Sequence, residues 1–147
     1  MPLLDRLRNW LRPQPPAPPV PPPPPPGPQP NGDALALHNA ARAARGRRPL
    51  TADPRLDAAA RGHADWMART GRLTHNGEGR PADRVTAAGY RWSWVGENVA
   101  EARDPVTAMA MWMDSPGHRD NILSTTFTQM GYGQAGGYSC AVFAAPA

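Results

Sequence analysis

A proline tract sets the first limit on this chain. Thirteen prolines fall between Pro13 and Pro30, six of them consecutive. Proline lacks a backbone N–H and its ring fixes φ at about −65°, so the tract can enter neither a helix interior nor a central strand. It is expected to extend as polyproline II. Everything that packs must therefore come from one side of it or the other. Only the residues after it are numerous enough to bury a core. The chain thus divides into residues 1–12, a short basic amphipathic segment; residues 13–32, a proline-rich linker; and residues 33–147, one compact domain. As a semi-rigid spacer, the linker would hold the domain away from whatever the first twelve residues touch. A ligand for a proline-recognition module is the weaker alternative.

The first twelve residues read MPLLDRLRNWLR. Leu3, Leu4, Leu7, Trp10 and Leu11 share one helical face, and Asp5, Arg6, Arg8, Asn9 and Arg12 the other. Charges interrupt what would be the apolar stretch of a secretory signal peptide, and no small-residue cleavage site follows. The segment is too short to span a bilayer. Two readings stand side by side: a helix that contacts a membrane surface or a partner, and a frayed terminus.

Charge adds little to this. The net charge is +4, every basic residue is arginine, and +2 of it comes from the first twelve residues, where Arg6, Arg8 and Arg12 face Asp5 alone. The domain's arginines are scattered among acids, with only Arg45, Arg47 and Arg48 clustered. Nucleic acid is therefore not an expected partner. The single cysteine, Cys140, excludes an internal disulfide, and its apolar surroundings (CAVFA) suit a buried, inert thiol.

Within the domain, helices come first and the clearest strands last. Ala34 to Ala44 reads as a helix capped by Asp33 and ended at Gly46. Thr51-Ala-Asp-Pro opens a second, with Asp53 as N-cap and Pro54 at the first turn; it runs to Thr70 and stops at Gly71. A short helix is expected around Pro81 to Ala88. Another starts at Asp104-Pro105, with Val106, Met109 and Trp112 at helical spacing. The strand candidates are Trp94 to Ala100, Phe127 to Gln134 and Tyr138 to Ala144, the last two joined by a Gly136-Gly137 turn. This order favours an α+β layered domain over a parallel-sheet enzyme.

Several motifs follow one another in a telling order. First comes a helix with His38, Asn39 and Arg42, then Pro49, Leu50, Asp53 and Leu56. Ala60, His63, Ala64 and Met67 follow, then Leu73 with His75, and then DRVTAAGY from Asp83 to Tyr90. GENVA (Gly96 to Ala100), WMDSPGHRDNIL (Trp112 to Leu123) and F-T-x-x-G-x-G (from Phe127) close the series. From about Ala34 to Phe143 the chain resembles bacterial members of the CAP superfamily, also called SCP/TAPS. The resemblance implies a three-layer α-β-α sandwich, with a small, mostly antiparallel sheet and a polar cleft. It also implies an extracellular or cell-surface location, although no signal peptide is visible. Family members are associated with protein interactions and with sterol or lipid binding, and no shared catalytic activity is agreed for them.

The cleft candidates are His75, Glu97, Ser115 and His118. His75 matches the position of a cleft histidine in the family. Glu97 interrupts an otherwise apolar strand, and a buried carboxylate needs partners. It either ties a loop down or holds an imidazole. Asn98 should point to the opposite face as a turn-anchoring amide. Ser115-Pro116 reads as N-cap and first helical position, so the Ser115 side chain is expected to bond the backbone amide of His118. His63 is expected to be a satisfied core histidine, and the His38-Asn39-Arg42 group a packing and hydrogen-bonding corner. Trp66, Trp92, Trp94 and Trp112 are expected in the core or the cleft wall, and Arg119 bracing a carboxylate or helix-end carbonyls.

The eukaryotic branch of the family carries two histidines and two acids in the cleft. Here Ser115 stands at the place of one acid and Thr126 at the place of the second histidine. His75 and His118 are the metal candidates for an ion such as zinc, without an obligate cofactor. Three functions remain open. The first is a surface or extracellular binding module, a monomer as one such domain suggests, taking a lipid, a cell-wall component or a protein. The second is a metal-assisted or serine-type peptidase or esterase. The third is an interaction domain with a vestigial cleft. No G-x-S-x-G elbow or second oxyanion loop is present, and this favours the first over the second.

Overall fold

The structure is a computed structural model and describes residues 30–147. The amphipathic segment 1–12, and the linker up to residue 29, lie outside the described residues. The first helix, α1 (Pro30–Ala43), begins inside the segment assigned to the linker. Pro30 is tolerated there because the first-turn amide it lacks would have had no intrahelical acceptor. Asp33 is therefore in the first turn and not the N-cap. No helix among the described residues is long and apolar enough to cross a membrane.

β1 (Thr51–Ala52) follows, then α2 (Pro54–Thr70), α3 (Pro81–Ala87), β2 (Trp92–Ala100), α4 (Pro105–Met113), α5 (Pro116–Leu123), β3 (Gln129–Ala135) and β4 (Tyr138–Pro146). α2 starts and stops where its punctuation says. Asp53 accepts from Arg55 N, Pro54 takes the first position, and Gly71 ends the helix at φ 64°. β1 was not legible, since two residues carry no periodicity. They pair parallel with β3 through Thr51↔Gln129 and Ala52↔Met130.

The sheet order is β1-β3-β4-β2, antiparallel apart from the β1–β3 pair. Gly136 and Gly137 (φ 50° and 85°) turn β3 into β4 as expected. Helices cover both faces, which gives the α-β-α sandwich. On one face Phe143, Met130 and Tyr132 pack with Trp112, Met109 and Ile122 of α4 and α5. On the other, Cys140, Val142 and Val99 pack with Leu56, Ala60, Ala64 and Met67 of α2. β4 alternates between the two, as a strand buried on both faces must.

The α2 face is built for close approach. A Cβ on Gly131 would lie 2.1 Å from the Leu56 carbonyl carbon, and one on Gly133 would lie 2.3 Å from Arg61 Cα. The glycines of F-T-x-x-G-x-G thus let a helix backbone rest directly on a strand. Two of the exposed large apolar side chains stand outside this layer plan. Val106 and Trp94 are 64% and 63% exposed, so neither joins the core. Val106 lies in the first turn of α4. Trp94 follows a register irregularity at the start of β2.

Among the described residues β2 ends the sheet, with β4 as its only strand neighbour. On its free side, side chains stand in for a further strand. Trp112 Nε1 donates to Val99 O at 3.1 Å and Asn121 Nδ2 to Glu97 O at 3.2 Å. The two carbonyls are two residues apart, the spacing of one strand edge.

Candidate functional site at the edge of β2

Strand periodicity sends Glu97 toward α2 and α3 and Asn98 toward α5. The Glu97 side chain is 1% exposed, and both its oxygens are used. Oε1 accepts from His75 Nδ1 at 2.9 Å. Oε2 accepts from Arg84 Nη2 at 2.5 Å. The Cys140 thiol, buried as expected, also points at Oε2, at 3.5 Å, and burial pushes that thiol well above its usual range. Glu97 therefore both holds an imidazole and ties a loop, the two roles left open by the sequence.

Arg84 performs the tie. Its Nη1 reaches the carbonyls of His75, Gly77 and Gly79 at 3.0, 2.9 and 2.7 Å. A guanidinium bonded to a buried carboxylate and to three loop carbonyls fixes the 75–79 segment against β2. Below it, His63 is fully buried, with Nε2 2.6 Å from Thr74 O and 3.9 Å from Glu97 Oε1. Burial lowers its pKa, so the ring is neutral near pH 7 and donates from Nε2 to the carbonyl.

The other two candidates lie at the start of α5. Asn98 Nδ2 donates to His118 O at 3.0 Å, and Asn121 bonds Asn98 Oδ1 at 2.9 Å. Asn98 is thus an anchoring amide on the opposite face, as read. Arg119 braces the end of α4 through Met113 O at 3.1 Å. Ser115 departs from expectation. It occupies the N-cap position (φ −108°, ψ 118°), but its hydroxyl makes no cap hydrogen bond. It lies instead 2.9 Å from His118 Nδ1. The imidazole three residues on competes for the oxygen that the backbone amide would otherwise take. Burial, and then the charge of His75, lower the pKa of His118 and favour its neutral form.

The four candidates therefore form two pairs. His75 and Glu97 meet directly, and so do Ser115 and His118. Glu97 holds the first histidine and not the second. His75 Nε2 and His118 Nε2 have no hydrogen-bond partner among the described residues, and the His75 side chain is 48% exposed. A zinc centre needs a third protein ligand. Among the described residues no group of three or more His, Cys, Asp or Glu side chains is arranged to hold a metal ion, and both Glu97 oxygens are already engaged. The residues present do not fit a dedicated metal centre.

Arg84 and His63 are the members that sequence reasoning missed. Arg84 was in plain view inside DRVTAAGY. The demand of a buried Glu97 for a cation was the signal that could have found it.

Comparisons with known proteins fall on the same residues. The family model described as the cysteine-rich secretory protein family, CAP, matches residues 35–143. The uncharacterized protein YkwD of Bacillus subtilis (strain 168) is 35% identical over 102 residues, covering 67% of this chain and 40% of that protein. An extracellular protein containing a SCP domain from Bacillus anthracis superposes with a TM-score of 0.75 at 27% identity, over 78% of this chain and 40% of that one. An outer surface protein of Borrelia burgdorferi gives 0.70 at 17% identity, over 77% and 90% of the two chains, a likeness of fold alone. The chain thus spans about two fifths of the length of the two Bacillus proteins.

Proposed function

Because the chain belongs to the cysteine-rich secretory protein (CAP) family, we propose that it is a binding module working outside the cell or at its surface. Its cleft offers His75 Nε2, His118 and the Ser115 hydroxyl to a polar ligand group. A location outside the cell is supported by the extracellular relative from Bacillus anthracis. Ligand classes in keeping with this are a lipid, a cell-wall component or a protein. One observation carries the preference for binding over catalysis. Glu97 is committed to His75 and Arg84, so no acid stands behind the Ser115–His118 pair. A serine–histidine pair works as a nucleophile when a third group orients the base and an oxyanion site faces it.

A hydrolase is the second reading, and the 2.9 Å Ser115–His118 contact is what favours it. Burial keeps His118 in the neutral form that a general base requires. A divalent ion would find two imidazoles only, so weak and dispensable binding is expected.

The test joins two measurements on the full chain. Co-sedimentation with isolated envelope material should fall in the His75→Ala/His118→Ala variant and persist in Ser115→Ala. Hydrolysis of p-nitrophenyl esters and of a casein substrate should not differ between wild type, Ser115→Ala and His118→Ala, with or without chelator. Turnover lost in both Ser115→Ala and His118→Ala would replace the binding reading with the hydrolase.

A further inference from the structure

A second recess lies where the turn after α1 meets the loop between α5 and β3, and it shares no residue with the cleft. Its volume is about 480 Å³, and it is lined by Arg42, Arg47, Arg48, Thr125, Phe127 and Thr128, together with Gly46 and Pro49. Three lining residues are cations and none is an acid. Arg42 is the unusual member, an arginine that is only 2% exposed as a whole residue. Its Nε donates to Arg48 O at 2.7 Å, and its Nη1 to Ile122 O and Ser124 O, both at 2.8 Å. These carbonyls use three of the five N–H donors of an arginine. Among the described residues Nη2 has no hydrogen-bond partner, and no carboxylate forms a salt bridge with Arg42. Burial, and then the neighbouring charge of Arg47, lower its pKa, so the surroundings add to the unfavourable positive potential.

A buried cation normally has a counter-charge. Here the chain supplies neutral carbonyls and two further arginines. We propose that the counter-charge is a ligand and that this recess takes a phosphate group. Arg42 Nη2 would grip it from below, Arg47 and Arg48 from the rim, and the Thr125 and Thr128 hydroxyls would add donors. Planar guanidinium forks match the oxygens of a phosphate, and three positive charges suit its charge better than that of a single carboxylate. The volume lies within the range of small-molecule sites, ~300–1,000 Å³, and leaves room for an organic substituent on the phosphate. Phe127 and Pro49 give that substituent an apolar wall. The same chemistry could arrive as a soluble phosphate ester or as a phospholipid headgroup.

Titration calorimetry of the full chain with glycerol phosphate, at constant ionic strength, and flotation with phosphatidylglycerol vesicles separate these sources. Binding in either arm supports the site when Arg47→Ala/Arg48→Ala weakens it by about tenfold or more and His75→Ala does not. The arginine pair lies on an exposed turn, so its unchanged thermal unfolding confirms that the fold survives. Arg42→Lys should also weaken binding, through loss of the fork. Absence of binding in both arms overturns the proposal. So does equal binding of acetate, or a loss caused by His75→Ala, which would place the anion in the cleft.

Discussion

Four histidines divide between two environments, and the division separates architecture from function. His38 on α1 and His63 on α2 are fully buried, one against each face of the sheet. Each gives one ring nitrogen to a backbone carbonyl, His38 Nδ1 to Ala34 O at 2.7 Å and His63 Nε2 to Thr74 O at 2.6 Å. Each leaves the other nitrogen unpartnered among the described residues, inside the protein. Such a ring is stable only while neutral. His75 and His118 also spend one nitrogen on a protein partner, a carboxylate or a hydroxyl. Their second nitrogen has no hydrogen-bond partner among the described residues. One side chain thus serves as cement or as a contact, depending on where its second nitrogen goes.

Glu97 joins the two groups, lying 3.9 Å from His63 and 2.9 Å from His75. Removing it should have the largest effect. Glu97→Ala would strand Arg84 beneath the loop and cost about 3–5 kcal/mol in guanidinium unfolding. A loss below about 1 kcal/mol would show that the carboxylate is not the linchpin between the two environments.

Acid should distinguish the buried pair next. Burial, reinforced by the charge of Arg42 and opposed by the bond to Ala34 O, lowers the His38 pKa from 6.5 to about 4. The unfolded chain then takes up the proton first. The stability contributed by a neutral His38 is complete above pH 6.5 and is lost as pH falls toward 4. About 3 kcal/mol is at stake over that window, at 1.36 kcal/mol per pKa unit. His63 shifts in the same direction. A pH series of denaturation midpoints should flatten in His38→Gln and keep most of its slope in His118→Ala. An unchanged slope in His38→Gln would erase the distinction between the pairs.

Smaller effects come from the cleft itself. His75→Ala removes one bond to Glu97 while Arg84 keeps the other oxygen, so about 1–2 kcal/mol should be lost on thermal unfolding. Ser115→Ala is the smallest. A serine that caps its helix contributes ~1 kcal/mol, but Ser115 faces His118 instead, and a cost of a few tenths is expected. A full capping cost would mean that the hydroxyl returns to the backbone in solution.

Much of this plan was readable beforehand, and the failures have physical causes. Asp53, Pro54 and Gly71 bounded α2 because caps act locally. Gly131 and Gly133 were visible within a motif, but their purpose, a helix backbone at contact distance, depends on the sheet. β1 was invisible because only the parallel neighbour β3 defines it. The four candidate residues could be listed from sequence, but not the way the structure pairs them. Sequence puts Ser115 at an N-cap, and only the structure shows the His118 ring drawing the hydroxyl away. The arginine-lined recess was not legible either, because Arg42 is far in sequence from the Ile122 and Ser124 carbonyls it bonds.

Trp112 and Asn121, which close the Val99 and Glu97 carbonyls, have a consequence for how this face meets other molecules. A bare terminal strand invites pairing with a neighbour's backbone, either as a recognition mode or as a route to aggregation. Here an indole and an amide have already claimed the acceptors beside the site. A partner cannot dock by adding a strand along this stretch. Recognition along this stretch is left to side chains, and the capped carbonyls offer no template for a neighbour's strand there.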